Sequence, residues 1–463
     1  MRFEAFHLPA LGGAPDLITL ERADACAVAL RLTPEDVRRI CAALHTAHTQ
    51  LARLPVARII AAVDSAARRL RHPAAEGFNE LIAGIAAFTG FSPPMAAHVL
   101  ERISGDWLAA PLEQLVRVEL GDAAAIDAFA TRSGGGRIRA VGPPLTLHVF
   151  SGNVPGVSVT SIVRALLVKS AVLGKTAAGE PLLAPRFAQL LARADPVVGD
   201  AVAVTYWSGG DTALEEVALE QADTVVHYGG ATAIESLRAR APGHVRFLEH
   251  GPRVAFAMVD GDIVGGDLGE RAAHGLARAV ATFDQQGCVS PQTAYVLAAD
   301  QGPARHFAAR VAAALALLQQ ELPRGRIEPA EAAAVRNLRT RAEFRSIAGH
   351  HVELWAGEPL AWTVVFDADA GFAGTCLNRT LLVKPAGSVD QVVAHVRPFG
   401  HLLQTVGVAG FDGDRLLTLA TALADAGATR ITSLADMPWP PPTWHHDGRG
   451  PLSELVRWVD LEI

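Results

Sequence analysis

Lysine is almost missing from this chain. Only Lys169, Lys175 and Lys384 occur among 463 residues, so nearly all of the positive charge is arginine and each lysine merits inspection. A basic balance is missing too. The 41 Lys+Arg are outnumbered by 48 Asp+Glu, for a formal net charge of −7 and a pI near 6.2. That balance excludes a dedicated nucleic-acid binder, which carries a basic face. Cysteine is scarce: Cys26, Cys41, Cys288 and Cys376 share no C-x-x-C spacing. A disulfide scaffold is thereby excluded, and reduced thiols in a cytoplasm fit. Long apolar runs are missing as well. The longest uncharged stretch, Ala140 to Val163, is broken by Gly142, Pro143, Pro144, Gly152, Pro155 and Gly156. A membrane helix needs ~20 mainly apolar residues, so no span is expected. The N-terminal MRFEAFHLPAL has no apolar core of a signal peptide, so none is expected there either. Neither G-x-G-x-x-G nor G-x-x-x-x-G-K-[ST] occurs, so both familiar phosphate-loop fingerprints are absent.

What is present is a chain built to fold. Half the residues are apolar and 19% are charged, which excludes a disordered polymer. The length predicts about three domains at ~150 residues each. The first ~130 residues read as mostly helical. Thr33-Pro34-Glu35-Asp36 is a helix start, with a hydroxyl cap, Pro at the first helical position and acids in the first turn. Val37, Ile40, Cys41 and Leu44 follow at helical spacing. Further helices are predicted at Val56–Leu70, Glu76–Ala87 and Pro94–Ile103. From about residue 137 the texture changes. Arg137–Val141 and Leu145–Phe150 read as a two-stranded ribbon around Gly142-Pro143-Pro144. Beyond them, apolar strands alternate with helices, first to Leu248 and again from Val254. Near-continuous apolar strands in βαβ order predict a doubly wound parallel sheet covered on both faces, followed by a second α/β domain.

Candidate site residues cluster where strands end. Cys288 lies in Phe283-Asp284-Gln285-Gln286-Gly287-Cys288-Val289-Ser290-Pro291-Gln292, between an amphipathic helix broken by Gly287 and a strand. A thiol there is near a surface yet on a rigid scaffold. Ser151-Gly152-Asn153-Val154-Pro155-Gly156 closes a strand before a helix, where open α/β sheets place their ligands. An Asn153 amide there can donate to a developing oxyanion. Lys175 and Thr176 end the next strand, and Ala178 follows. Ser208-Gly209 and Gly229-Gly230 close the two strands after that, and such turns let backbone approach phosphate closely. Glu249 ends a further strand. His445-His446-Asp447 are adjacent, and adjacent ligands do not make a metal site without distant partners, so no metal is expected.

The order Asn153, Lys175, Gly229, Glu249, Cys288 resembles the aldehyde dehydrogenase superfamily, with Glu249 preceding Cys288 by 39 residues. Gly152-Asn153-Val154-Pro155, the Gln285-Gln286-x-Cys288-x-Ser290-Pro291-Gln292 run and the terminal Trp444-His445-His446-Asp447-Gly448 resemble one branch more closely: the bacterial acyl-CoA reductases of the luciferase-linked, long-chain type. The resemblance covers residue 137 to the end of the chain. One departure from the superfamily is the segment Glu-x-Phe-Gly-Pro, which grips the nicotinamide ribose. Glu358-Pro359 is the nearest match.

The resemblance implies an aldehyde-dehydrogenase-like fold with a small oligomerisation ribbon. Residues 1–253 form the helical segment and dinucleotide-binding domain, with a projecting hairpin at about 137–150. Residues 254–435 form the catalytic domain and 436–463 the returning C-terminal segment. It implies NAD(P)H-dependent reduction of a fatty acyl-CoA thioester to aldehyde through an acyl-S-Cys288 intermediate, with Asn153 at the oxyanion and Glu249 as a further catalytic group. Lys175, Thr176, Ala178, Ser208, Gly209, Gly229, Gly230 and Glu358 are then the cofactor contacts. NAD-preferring members often carry Glu three residues after the Lys, where this chain has Ala178. The expected cofactor is therefore NADPH, with NADH as the alternative and Glu180 a nearby carboxylate. The expected partners are an acyl-CoA or acyl-protein substrate, an acyl-protein synthetase and further copies of the chain in a homodimer or homotetramer. An aldehyde-oxidising dehydrogenase and a non-catalytic nucleotide-binding subunit are the competing readings.

Overall fold

A computed structural model describes residues 1–9, 16–22, 24–75, 77–132 and 134–463. The chain divides into two compact units. One comprises Met1–Thr89, Ala96–Gly251 and Pro441–Ile463; the other comprises Gly90–Met95 and Pro252–Pro440.

The first unit is built on a five-stranded, all-parallel sheet. Its spatial order is Arg246–His250, Thr224–Tyr228, Leu145–Val149, Ala171–Thr176, Val202–Tyr206. Chain order reverses between Leu145–Val149 and Thr224–Tyr228, the position at which doubly wound sheets open a ligand crevice at their carboxyl ends. Every residue of Ala171–Thr176 and Thr224–Tyr228 is buried. Burial on both faces is why these strands read as unbroken apolar runs. The helices follow their sequence signals. Thr33 caps Pro34–Leu51, its hydroxyl accepting from Asp36 N at 3.2 Å while Asp36 Oδ2 accepts from Thr33 N at 2.9 Å. Helices Val56–Leu70 and Leu183–Ala194 fall where their apolar periodicity puts them. The helix expected at Glu76–Ala87 runs Phe78–Thr89, and Glu76 lies outside the described residues.

The mostly helical N-terminal region also carries a three-stranded sheet of Arg2–Glu4, Ala25–Leu30 and Leu17–Arg22. One expectation is corrected. Arg137–Val141 and Leu145–Phe150 do not pair as a hairpin. Leu145–Val149 is central in the parallel sheet, whereas Arg137–Val141 pairs antiparallel with Arg457–Leu461 on one side and Ala130–Thr131 on the other. A small ribbon is present, but its long partner strand comes from the C-terminus.

The second unit carries a seven-stranded sheet in the order Val352–Gly357, Trp362–Asp367, Thr380–Ala386, Pro291–Leu297, Val254–Asp260, Leu403–Ala409, Arg430–Ser433. Only the Val352–Gly357 edge is antiparallel. Helices Asp267–Ala281 and Gly302–Glu321 bury Leu276, Val280, Phe307 and Val311. No helix among the described residues is long and apolar enough to cross a membrane.

Candidate active site

Register sorts the strand-end residues of the first unit into two faces. Thr205 pairs with Lys175, Lys175 with Val149, Val149 with His227, and His227 with Glu249. Residues opposite each other across a parallel ladder share a face, so Thr205, Lys175, His227 and Glu249 form one polar row near the carboxyl edge. Lys175 is 8% exposed, and its ammonium has no hydrogen bond or ion pair among the described residues. Thr205 Oγ1 and His227 Nδ1 are likewise buried without a partner. Burial lowers the Lys175 pKa, against the nearby Glu215 carboxylate, which raises it. Burial first and the Lys175 charge second push His227 down to about 4, so its imidazole is neutral at neutral pH. Thr176 points to the opposite face, where its hydroxyl donates to Thr205 O at 3.3 Å.

The loops bearing Asn153 and Ala178 are packed together. A Cβ on Gly152 would lie 2.9 Å from Gly179 Cα and 3.2 Å from Ala177 Cβ, so only glycine admits this approach. Asn153 is exposed at the head of its loop, and Gly156, at φ +94°, turns the chain into helix Val157–Leu167. Ala178 sits on the neighbouring turn. Glu180 is buried beneath it, with Oε1 accepting from Leu182 N at 3.1 Å and Leu183 N at 2.8 Å. That carboxylate faces its own helix start.

Ser208 and Gly209 are exposed after Val202–Tyr206, and no atom approaches within 4 Å of a Cβ built on Gly209 or Gly230. Gly229 would carry its Cβ 3.0 Å from His227 Nε2. The Glu249 carboxylate is engaged by Arg238, whose guanidinium also lies 5.2 Å from the centre of the Phe247 ring.

The opposite face explains the terminal Trp-His-His-Asp motif. Trp444, His446, His250 and Tyr228 form a continuous ring stack with centroid spacings of 4.6, 4.2 and 4.6 Å. His250 Nδ1 lies 3.0 Å from Asp447 Oδ2. Burial lowers the His250 pKa, opposed by the Asp447 hydrogen bond. Ligand atoms of His250, His446 and Asp447 come within 4.8 Å of one another. The His250 and His446 rings are stacked at 18°, however, and ring lone pairs lie in the ring planes. Stacked rings aim those lone pairs alongside each other, and the stack packs Trp444 and His446 of the C-terminal segment against His250 and Tyr228 at the strand ends.

In the second unit, Cys288 is half-buried in the turn Gly287–Ser290, closed by Ser290 N donating to Gly287 O at 3.0 Å. Gly287 does not end the preceding helix. That helix stops at Ala281, and Phe283, Asp284 and Gln285 follow with φ of 58°, 48° and 66°. Three consecutive left-handed residues without glycine are costly and require outside support. Phe283 packs edge-on to Trp439 at 5.2 Å. Gln285 Nε2 donates to Pro291 O at 2.7 Å and Thr380 O at 2.8 Å, and its Oε1 accepts from Thr380 N at 2.7 Å. Burial lowers the Arg430 pKa to about 10, opposed by the Asp436 and Cys288 charges, and its guanidinium donates to Met437 O at 2.8 Å. Glu358 is exposed on the hairpin turn between Val352–Gly357 and Trp362–Asp367, beside the Arg339 charge.

Sequence reasoning missed His227, although a histidine inside a five-residue apolar strand was a usable signal. It also missed Arg379 and Asp284, which carry no local signature.

These two α/β units define an aldehyde-dehydrogenase-like fold. Among solved structures, aldehyde dehydrogenase 21 of Physcomitrella patens matches with a TM-score of 0.78 at 14% identity, covering 99% of this chain and 98% of that one. Aldehyde dehydrogenase C of Pseudomonas syringae, a mutant in complex with NAD+ and octanal, matches with a TM-score of 0.76 at 15% identity, covering 99% and 96%. Residues 51–458 match the family model described as acyl-CoA reductase (LuxC), and the chain belongs to that oxidoreductase family. It is 28% identical over 387 residues to the long-chain acyl-protein thioester reductase of Aliivibrio fischeri, covering 81% of this chain and 76% of that protein. It is 29% identical over 385 residues to the counterpart from Photorhabdus luminescens, covering 81% and 75%.

Proposed function

We propose that this protein reduces a long-chain acyl thioester, carried on protein or coenzyme A, to the aldehyde through an acyl-S-Cys288 intermediate. The observation that carries the reading is the half-buried Cys288 on a turn whose flanks are fixed by Gln285. Its thiolate attacks the acyl carbonyl. A new C–S bond forms, the donor's C–S bond breaks, and the donor leaves as a thiol after taking up a proton. The Asn153 amide and the Cys288 backbone N–H are the proposed oxyanion donors.

A nicotinamide dinucleotide fits the first unit on chemical grounds. Among the described residues Thr205 Oγ1 and His227 Nδ1 are buried without a hydrogen-bond partner, in one row with the 8%-exposed Lys175, and native structures seldom leave buried polar groups unsatisfied. Lys175 with the Ser208-Gly209 and Gly229-Gly230 turns would hold its ribose and phosphates. Reduced nicotinamide, when bound, supplies the hydride equivalent that turns the acyl group into an aldehyde. Cys288 then leaves as thiolate and is ready for another acyl group. NADPH is the preferred form in this reading, because Ala178 presents no carboxylate and Glu180 is spent on Leu182 and Leu183.

The Arg238 pairing of Glu249 favours reduction over aldehyde oxidation, which needs an activated water. Assembly into a homodimer or homotetramer belongs to the same proposal and rests on the ribbon, whose outer strand Arg457–Leu461 leaves Trp458 40% exposed. The functional test is aldehyde production from a panel of acyl-CoAs with NADPH. The parent should release aldehyde and Cys288→Ala should not; aldehyde at the parental rate from Cys288→Ala would remove the thiol from the reaction.

A further inference from the structure

The cysteine turn is clasped by a second strained loop. Leu377, Asn378 and Arg379 have φ of 57°, 60° and 57°, so they form another left-handed triplet without glycine. The two triplets are joined directly. Arg379 Nε donates to Asp284 Oδ1 at 2.7 Å, and the two side chains are 1% and 7% exposed. Gln285 and Thr380 exchange the hydrogen bonds already described, and Gln292 Oε1 accepts from Thr375 N at 2.8 Å. Both loops are anchored to the helical layer. Arg379 Nη1 donates to Gln319 Oε1 at 2.9 Å and Leu322 O at 3.0 Å. Arg324 donates to Asn378 Oδ1 and, at 3.2 Å, to Asn378 O. Gly325 N donates to Asp284 Oδ2 at 3.3 Å.

A structure that needed only a connection here would use glycine or unstrained backbone. Six left-handed residues held by a buried ion pair amount to an over-determined backbone, which is how strain persists beside working groups. The clasp begins four residues before Cys288, at Asp284, and ends at Gln292, four residues after it. Gln285 ties both ends of that turn to Thr380 through Pro291 O, Thr380 O and Thr380 N.

We infer that Arg379 and Gln285, acting through Asp284 and Thr380, are positioning residues that fix the attack direction of the Cys288 thiolate. The inference rests on the nucleophile proposed above. Attack on a thioester carbonyl depends on direction, so a displacement of ~1 Å can slow it ~10²-fold. Alkylation by a small reagent such as iodoacetamide has no such demand. The two reactions therefore separate positioning from folding.

The test compares the full-length parent with Arg379→Lys and Gln285→Met. Acylation of Cys288 by labelled acyl-CoA, without dinucleotide, is followed by mass spectrometry. Iodoacetamide alkylation is followed against pH, and folded fraction by circular dichroism. Acylation in folded Arg379→Lys should fall ~100-fold, with the alkylation rate and its pH midpoint within about threefold of the parent. The double variant Asp284→Glu/Arg379→Lys, which restores the reach of the pair, should recover at least ~10-fold of the loss. Acylation within about threefold of the parent, or acylation and alkylation falling together with the folded fraction, overturns the inference. Failure of both single variants to fold assigns the clasp to stability alone and overturns it as well. A parent that takes no label on Cys288 overturns the nucleophile assignment itself. A labelled parent with undiminished variants overturns only the clasp.

Discussion

Lys175 and His227 lie on one face of the parallel sheet, one strand apart with Val149 between them, and neither Lys175 Nζ nor His227 Nδ1 has a hydrogen-bond partner among the described residues. A lysine and a neutral imidazole in one row, beside the buried and unpaired Thr205 Oγ1, suit a polar ligand at this edge of the sheet. Replacing His227 by Phe keeps the bulk and removes the ring nitrogens a ligand could hydrogen-bond. Dinucleotide binding measured by calorimetry, without acyl substrate, should weaken about tenfold, the expected loss for one hydrogen bond to a ligand acceptor. Unchanged affinity would assign His227 to packing alone.

In the proposed function, the choice between NADPH and NADH rests on the neighbouring turn. Ala178 leaves that turn without a carboxylate, and Glu180 is turned into the helix start. Ala178→Glu should lower NADPH affinity relative to NADH by about tenfold or more, through repulsion of the 2′-phosphate. The measurement is the ratio of the two dissociation constants in parent and variant. A parent that already prefers NADH strongly would contradict the assignment.

Acid should destabilise the first unit in a defined window. Burial pushes His148 down to about 3, and burial with the Lys175 charge pushes His227 down to about 4. Unfolding returns each imidazole to its ordinary value near ~6.5. Between those values the unfolded chain binds more protons than the folded one, so stability falls as pH falls. The stabilising contribution is complete above pH ~6.5 and is lost as the pH drops through the folded values. For His227 the full loss is on the order of 3 kcal/mol. Melting temperature should hold above neutrality and fall steeply from pH ~6.5 toward 4, with a shallower fall in His227→Phe. Identical slopes in parent and variant would exclude His227 from the effect.

Local patterns carried much of this architecture. Helices Val56–Leu70 and Leu183–Ala194 are legible because their apolar residues recur at helical spacing over three or more turns. The parallel strands are legible because two-sided burial forces apolar runs. Cys288, Lys175 and Asn153 stand at element ends that the sequence already marks. The partner of Arg137–Val141 was not legible, since Arg457–Leu461 lies at the far end of the chain and short strands carry no address. Nor was the end of the cysteine helix. Phe283 and Gln285 have little intrinsic preference for left-handed backbone and Asp284 only a modest one, so tertiary contacts with Trp439, Arg379 and Thr380 hold the triplet there. Glu249 illustrates a different gap: its order in the chain suggested a catalytic group, but only the fold reveals Arg238 beside it.

The account turns on whether Cys288 accepts an acyl group from a thioester without help from a dinucleotide. The direct measurement mixes purified protein with labelled long-chain acyl-CoA, no cofactor present, and maps the label by mass spectrometry. The account predicts stoichiometric label on Cys288 with a matching burst of free coenzyme A, no label in Cys288→Ala, and a burst slowed ~10²-fold in Asn153→Ala. No adduct on Cys288 across short, medium and long chains, together with rapid oxidation of aldehydes by NAD(P)+, would contradict it and identify an aldehyde-oxidising enzyme instead.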